Sequence, residues 1–269
     1  MTTHKKTIAC FGATGGCVGA ALAHALKQGY PCSALARSPE NLRKLLIERD
    51  GVEASLIDRY LTIHQGDAKD AAAVAKVIAD PTNKEALVDV IISGLGVYPT
   101  FQWSIKQPFP LTDPTICETT TRTLFKVLSD IYASDSSLSK SAKPLLVVVS
   151  TAGSGRRRTI PFPLQFPYRY FLSSPLADKI RMEQLVFENE NKDVRDYVIA
   201  RPMILGDGEE SEGDIRPVSW EWGTEERNEG EELEPSPKTS FSVSKKDVGR
   251  WIFEDVVVKG GWDGKCVYF

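Results

Sequence analysis

Short apolar runs that end in glycine or small polar residues alternate with stripes at helical spacing along most of the chain. The first run, Thr7-Ile8-Ala9-Cys10-Phe11, empties into Gly12-Ala13-Thr14-Gly15-Gly16-Cys17-Val18-Gly19. Val18, Leu22, Ala25 and Leu26 then repeat as the buried stripe of a helix that ends near Gly29. Residues 32–36 predict a second strand, and Pro39 starts a helix through Leu42, Leu45, Leu46 and Ile47. A third strand over 60–64 leads into Gly66-Asp67-Ala68 and a helix through Ala72, Val74, Val77 and Ile78. Residues 88–93, before Gly94-Leu95-Gly96, and 144–151, ending in Ser150-Thr151, are nearly continuous apolar runs and read as strands buried on both faces. Between them Ile116, Thr120, Leu124, Val127, Leu128 and Ile131 mark a helix from about 114 to 133. A helix over about 176–190 and a sixth strand over 194–200 follow.

Repeated strand–helix crossovers predict an α/β architecture: a doubly wound parallel sheet with helices on both faces, in one domain over 1–269 with a small C-terminal substrate-side region. Ligands of such sheets sit outside the carboxyl ends of the strands, so the glycine turn, Arg37, Asp67, Gly94 and Ser150 are expected to converge on one crevice. Residues 206–237 break the pattern, with a run of acids from Asp207, Glu209 and Glu210 to Glu234 against only Arg216 and Arg227. That composition predicts a solvated or partly disordered surface insertion, or else a lid whose apolar contacts are Trp220 and Trp222. Order is expected again from Phe241, through a helix carrying Val248, Trp251, Ile252 and Val256, to a last strand over 265–269.

Composition narrows the partners. An apolar fraction of 42% over 269 residues is ample for a packed core, and a formal charge of −3 gives no global attraction to nucleic acid. Cys10, Cys17, Cys32, Cys117 and Cys266 are scattered and odd in number, which suits buried, reduced thiols and a cytoplasmic protein. His4, His24 and His64 lie at no metal-ligand spacing, so no metal is expected. The apolar run after Met1 to Lys6 is too short for a signal sequence or a membrane span.

The glycines say what the crevice holds. Gly12 turns the chain off its strand, Gly15 and Gly16 let backbone approach a pyrophosphate, and the helix that follows offers unpaired N–H groups and a positive dipole end. Side chains at those positions would obstruct the ligand. A site for NAD usually ends its second strand in an acid that binds the ribose 2′-hydroxyl; here Arg37-Ser38 stand there, suited to a 2′-phosphate, and the expected cofactor is NADP. Its ring of contacts is expected to comprise Gly12, Thr14, Gly15, Gly16, Cys17 and Val18, with Arg37, Ser38, Asp67 and Ala68 toward the adenosine. Gly94, Leu95, Gly96, Ser150, Thr151, Lys179, Pro202 and Ile204 complete it. Asp67 would face the adenine amino group or else cap the next helix.

With these features in place, the chain resembles a short-chain dehydrogenase/reductase of the atypical, NmrA-like branch, and among those a fungal averufin-oxidase-like protein. The resemblance extends over Pro175-Leu176-Ala177-Asp178-Lys179, Ala200-Arg201-Pro202-Met203-Ile204 and Ser244-Lys245-Lys246-Asp247-Val248-Gly249. It implies a Rossmann-type fold and a reductase of carbonyl, imine or conjugated double bonds in natural-product chemistry. Two positions depart from that pattern. Val18 stands where the tight glycine spacing would put glycine, and Pro175 stands where the family carries its proton-donating Tyr, four residues before Lys179. The acid must then come from elsewhere: Lys179, Glu118, Ser150 and Tyr98 are the leading candidates, with Thr151, Tyr168, Tyr170 and Asp178 behind them. Aromatic, proline-rich stretches over 96–103 and 161–168 suit a flat, apolar, polycyclic substrate, and Arg156-Arg157-Arg158 between them would pair with the acidic insertion or bind an anionic group. Two alternatives stay open beside reduction: a redox-neutral rearrangement on an NADP-shaped pocket, and a non-catalytic NADP-sensing regulator. A monomer or homodimer is expected.

Overall fold

The computed structural model describes residues 5–83, 85–96, 113–134, 143–154, 173–211, 217, 219–222 and 242–269, with backbone alone at 173, 174 and 219–222. Along the chain come β1 (Ile8–Phe11), α1 (Gly16–Lys27), β2 (Cys32–Ala36), α2 (Pro39–Glu48), α3 (Ala54–Tyr60), β3 (Leu61–Gln65), α4 (Ala71–Ile78), β4 (Val90–Ser93) and α5 (Ile116–Ser134). The second half adds β5 (Leu145–Val149), α6 (Ser173–Glu188), β6 (Asp196–Arg201), β7 (Leu205–Gly206), β8 (Ser219–Trp222), β9 (Val243–Ser244), α7 (Lys245–Trp251) and β10 (Lys265–Tyr268).

The apolar runs become the middle of one sheet, ordered β3-β2-β1-β4-β5-β6-β10-β8. All neighbours are parallel except β8, which closes one edge antiparallel to β10. This is the expected doubly wound Rossmann sheet, and its direction of winding reverses between β1 and β4, where such sheets open a crevice. Alternate residues of each strand serve opposite layers. Ile8, Cys10, Ile92 and Val147 pack against α1, α2 and α7, while Phe11, Ile91, Leu146 and Val148 pack against α4, α5 and α6.

Five elements were not anticipated. Helix α3 precedes β3, with Ile57 as its buried anchor. The last helix passes after Trp251 into a π-helical stretch over Ile252–Lys259. Within the acidic stretch, residues 219–222 form the edge strand β8, and β7 pairs with β9 in a separate two-stranded sheet. Elsewhere in that stretch 206–211 and 217 are described, and 207–211 is tied down by ion pairs and hydrogen bonds treated below; residues 212–216, 218 and 223–237 lie outside the described residues. All five cysteines are buried, free thiols, and burial pushes Cys10 and Cys17 up to about 12. No helix among the described residues is long and apolar enough to cross a membrane.

Helices α1 and α7 meet at a glycine. A Cβ on Gly249 would lie 2.5 Å from Ala20 Cβ, 2.5 Å from Cys17 O and 2.7 Å from Ala21 N, two of them backbone atoms that cannot turn away. Gly249→Ala is therefore expected to cost about 1–3 kcal/mol, read as a lower denaturant midpoint at unchanged slope. An unchanged midpoint would show that the two helices separate freely.

Candidate functional site

The glycine turn is built from backbone meeting backbone. Gly12 adopts φ +81°, the left-handed region, and a Cβ there would come 2.9 Å from Gly94 O and 3.0 Å from Gly94 C. The ends of β1 and β4 are thus in direct contact, tied by Gly94 N–H to Phe11 O at 3.0 Å. Gly15 N–H closes the turn on Gly12 O at 2.9 Å, and α1 begins at Gly16. No side chain caps α1, and its first turn holds no acid. Its first N–H groups face a crevice of about 670 Å³, with room and positive potential for an anion.

The departure at Val18 is accommodated from across the crevice. A Cβ on Gly94 would sit 2.5 Å from Val18 Cγ2, so the space that a glycine at 18 would leave is supplied by the glycine at 94.

All the residues expected around a dinucleotide line this crevice except Thr151, Pro202 and Ile204. The Thr151 and Pro202 carbonyls accept the Ser154 and Ala152 N–H groups, and the Ile204 carbonyl accepts from Val243, the residue being 52% exposed. At the β2 end Arg37 is exposed on the rim, and Ser38 caps α2 by accepting the Asn41 N–H at 3.3 Å, which keeps its own O–H for a ligand. Asp67 also lines the crevice, one of its oxygens accepting the Lys69 N–H at 2.9 Å; the cap of α4 is Asp70, at 2.9 Å from the Ala72 N–H. Lys69 pairs with Asp113 on the same rim, and that pairing holds the Asp113 carboxyl below its usual range.

At the other end, β5 and α6 bring Ser150 and Lys179 together. Lys179 Nζ donates to Val149 O at 2.7 Å and Leu95 O at 3.0 Å, so two of its three N–H groups fix the ammonium and one is left for a ligand. Ser150, buried, shares a hydrogen bond of 3.2 Å with Ser154, whose Oγ lies 2.6 Å from Glu183. Glu183 is in turn paired with Arg201 at 2.8 Å, both side chains 3% exposed, and Arg201 donates to Tyr268 Oη. A lone buried charge would be prohibitive; paired and fully hydrogen-bonded, this group anchors the Ser154–Ser150 line.

Other candidates sit elsewhere. Glu118 does not line the crevice: Arg122 at 3.0 Å and Arg181 at 2.6 Å hold its carboxyl below the usual range, which makes it a poor proton donor near neutral pH. Buried Asp178 accepts the N–H groups of Cys117 at 2.9 Å and Glu118 at 3.0 Å, so it caps the start of α5. Pro175 lies in the first turn of α6, one turn before Lys179, where proline costs no helical hydrogen bond. Tyr98, Tyr168, Tyr170, Arg156-Arg157-Arg158 and, apart from Gly96, the two aromatic stretches lie outside the described residues.

Besides Lys69 on the rim, two further cations of the site were not foreseen. Arg49, after α2, donates to Thr14 O at 2.9 Å beneath the turn and is held by Asp50; nothing in its local sequence signals this. Lys245 opens α7 and lies over Gly16, inside the Ser244–Gly249 segment whose resemblance was noted but given no role.

Residues 12–256 match the profile of a family described as NAD(P)H-binding. Among curated proteins, the chain is 36% identical to "Reductase pytE" of Aspergillus terreus, over 97% of this chain and 95% of the relative. It is also 36% identical to "Oxidase pynE" of Aspergillus niger, over 96% and 95% respectively. Among solved structures, it is similar to an alcohol dehydrogenase of Thermococcus sibiricus complexed with 5-hydroxy-NADP, with TM-score 0.59, 17% identity, and 99% and 96% of the two chains covered. ChuY, an anaerobillin reductase of Escherichia coli O157:H7, aligns with TM-score 0.60 and 16% identity over 97% and 95%. These structural likenesses concern the fold.

The Val18–Gly94 contact is testable by a double-mutant cycle. Gly94→Ala alone is expected to cost about 1–3 kcal/mol of stability, and adding Val18→Ala to recover about 0.5–3 kcal/mol relative to the sum of the single changes. Strict additivity in denaturant midpoints would contradict the contact.

Proposed function

The chain belongs to the NAD(P)H-binding family, with the atypical short-chain dehydrogenases, and on that premise we propose that it is an NADP(H)-dependent reductase of an apolar, polycyclic metabolite. The bond reduced is a carbonyl, imine or conjugated double bond. The observation that carries this reading is the uncapped start of α1 facing the crevice, with Arg37 and Ser38 at one end and Lys179 and Ser150 at the other. That cradle fits a dinucleotide: its wall is backbone, it carries no acid in the helix's first turn, and a Cβ at Gly12 would collide with the opposite strand. The relatives named Reductase pytE and Oxidase pynE support a redox reaction.

When bound, the nicotinamide supplies the hydride. The chain does the binding, orienting and proton transfer. N–H groups at the start of α1 hold the pyrophosphate, and Arg37 with the Ser38 hydroxyl takes the 2′-phosphate. The Lys179 ammonium, fixed by two carbonyls, turns its remaining N–H on the substrate's polar atom, and Ser150, whose O–H runs through Ser154 to Glu183, presents its oxygen beside it as an acceptor. With Pro175 in place of a phenol, Lys179 Nζ gives up the proton that completes the reduction and regains one from water. A second reading keeps the cofactor without net redox change; the missing phenol favours it.

Adding a panel of polycyclic ketones, imines and quinones to enzyme and NADPH is expected to lower the NADPH absorbance. Product without absorbance change would replace reduction by a rearrangement. Tight NADPH binding with neither product nor oxidation across the panel would indicate a sensor. Arg37→Glu is expected to weaken NADPH by at least about tenfold while leaving NADH within about threefold; equal loss for both nucleotides would remove the 2′-phosphate assignment.

A further inference from the structure

Lys245 occupies an unusual position for a lysine. Its stem lies against the glycine turn: a Cβ on Gly16 would sit 2.5 Å from Lys245 Cδ and 2.8 Å from its Cβ, and the side chain is only 17% exposed. It lines the same crevice as Gly15 and Gly16, beside the uncapped start of α1. Its ammonium is held at 2.6 Å by Asp207, whose side chain is 87% exposed. The other cation at the turn, Arg49, is directed to the Thr14 carbonyl and Asp50.

Asp207 is the first residue of a short strap laid over α7. Lys246 pairs with Glu209 at 2.6 Å, Arg250 and His24 with Glu210 at 3.3 and 3.1 Å, and Ser211 donates to Asp247 at 2.6 and 2.8 Å. Ser244 Oγ, which caps α7, donates to Gly208 O at 2.8 Å. The strap therefore stays fastened at 208–211 whether or not Asp207 keeps its partner.

We propose that Lys245 is a ligand for the diphosphate of the bound nucleotide and that Asp207 is its exchangeable counter-ion, displaced from the ammonium when the diphosphate binds. The physical reason is a difference between two acceptors. An exposed carboxylate holds a lysine weakly because water competes for both charges. A diphosphate seated on the N–H groups of α1 is fixed, partly dehydrated and doubly charged, and makes the stronger charge-assisted bonds. The stem already lies on the turn, so little reorganisation precedes binding. The exchange moves one side chain on each partner, and it releases a carboxylate toward solvent beside the strap. This inference rests on the dinucleotide reading of the crevice and adds the residue that neutralises the middle of the ligand.

The test is nucleotide binding by fluorescence titration with NADPH and with NADH, at fixed ionic strength, on the full chain. Lys245→Met keeps the stem over Gly16 and removes the charge; it is expected to weaken both nucleotides by a similar factor of about tenfold, since both carry the diphosphate. That pattern differs from the NADPH-selective loss expected on changing Arg37. Asp207→Asn removes the competitor and is expected to tighten both nucleotides by about two- to tenfold, an effect that disappears in the Lys245→Met background. Unchanged affinity in Lys245→Met overturns the assignment, and unchanged or weaker binding in Asp207→Asn overturns the exchange; the second variant keeps the test alive should the first fail to fold. If the unaltered chain binds neither nucleotide, the dinucleotide reading itself falls. Binding that ignores both substitutions defeats this inference alone.

Discussion

Backbone touches backbone where β1 ends, and the site depends on that contact. Gly12 can approach Gly94 because it carries no Cβ and accepts a positive φ that other residues resist. The same approach sets the floor of the crevice between the two strands at which the sheet reverses its winding. A second close contact follows from the first, since Gly94 also makes room for Val18 on α1. A third sits on the far side of α1, where Gly249 admits α7. Because α7 is held that closely, its first residue, Lys245, lies on the glycine turn. Three glycines far apart in sequence thus place a helix start, a strand end and a cation around one space.

The two ends of that space are made differently. The end at the glycine turn is mostly backbone, with charge added at the rim by Arg37 and beneath the turn by Arg49. The β5–α6 end is made of side chains whose positions are each fixed by a further group: Lys179 by two carbonyls, Ser150 through Ser154 by the buried Glu183–Arg201 pair. In the proposed reading that rigidity matters more than usual, because Pro175 removes the phenol that would otherwise supply the proton. A fixed ammonium is what remains to polarise a substrate, with the Ser150 oxygen held beside it as an acceptor.

Most of the fold is readable in the chain because its central strands are buried on both faces and interrupt helical stripes with glycine. The glycine turn and the convergence of Arg37, Asp67, Gly94 and Ser150 are readable for the same reason, since each ends a strand at the same edge of the sheet. What escapes local reading is what acts at a distance. β8 hides in an acidic stretch whose composition signals solvent, yet its backbone completes the edge beside β10. Asp178 looks like a charge beside the candidate Lys179 and is the cap of a helix sixty residues away in sequence. Glu118 looks available at the start of that helix, but the two arginines that occupy it become its neighbours only through helical spacing and tertiary packing. Arg49 reaches the turn from the end of α2, a contact that no residue pattern announces.

Calorimetric titration of the unaltered chain with NADPH and, separately, with NADH tests the central claim most directly, because it asks whether this crevice takes a dinucleotide and reads its 2′-phosphate. One NADPH bound per chain, about tenfold or more tighter than NADH, is the predicted result. Equal or tighter binding of NADH, or no heat with either nucleotide, would contradict it.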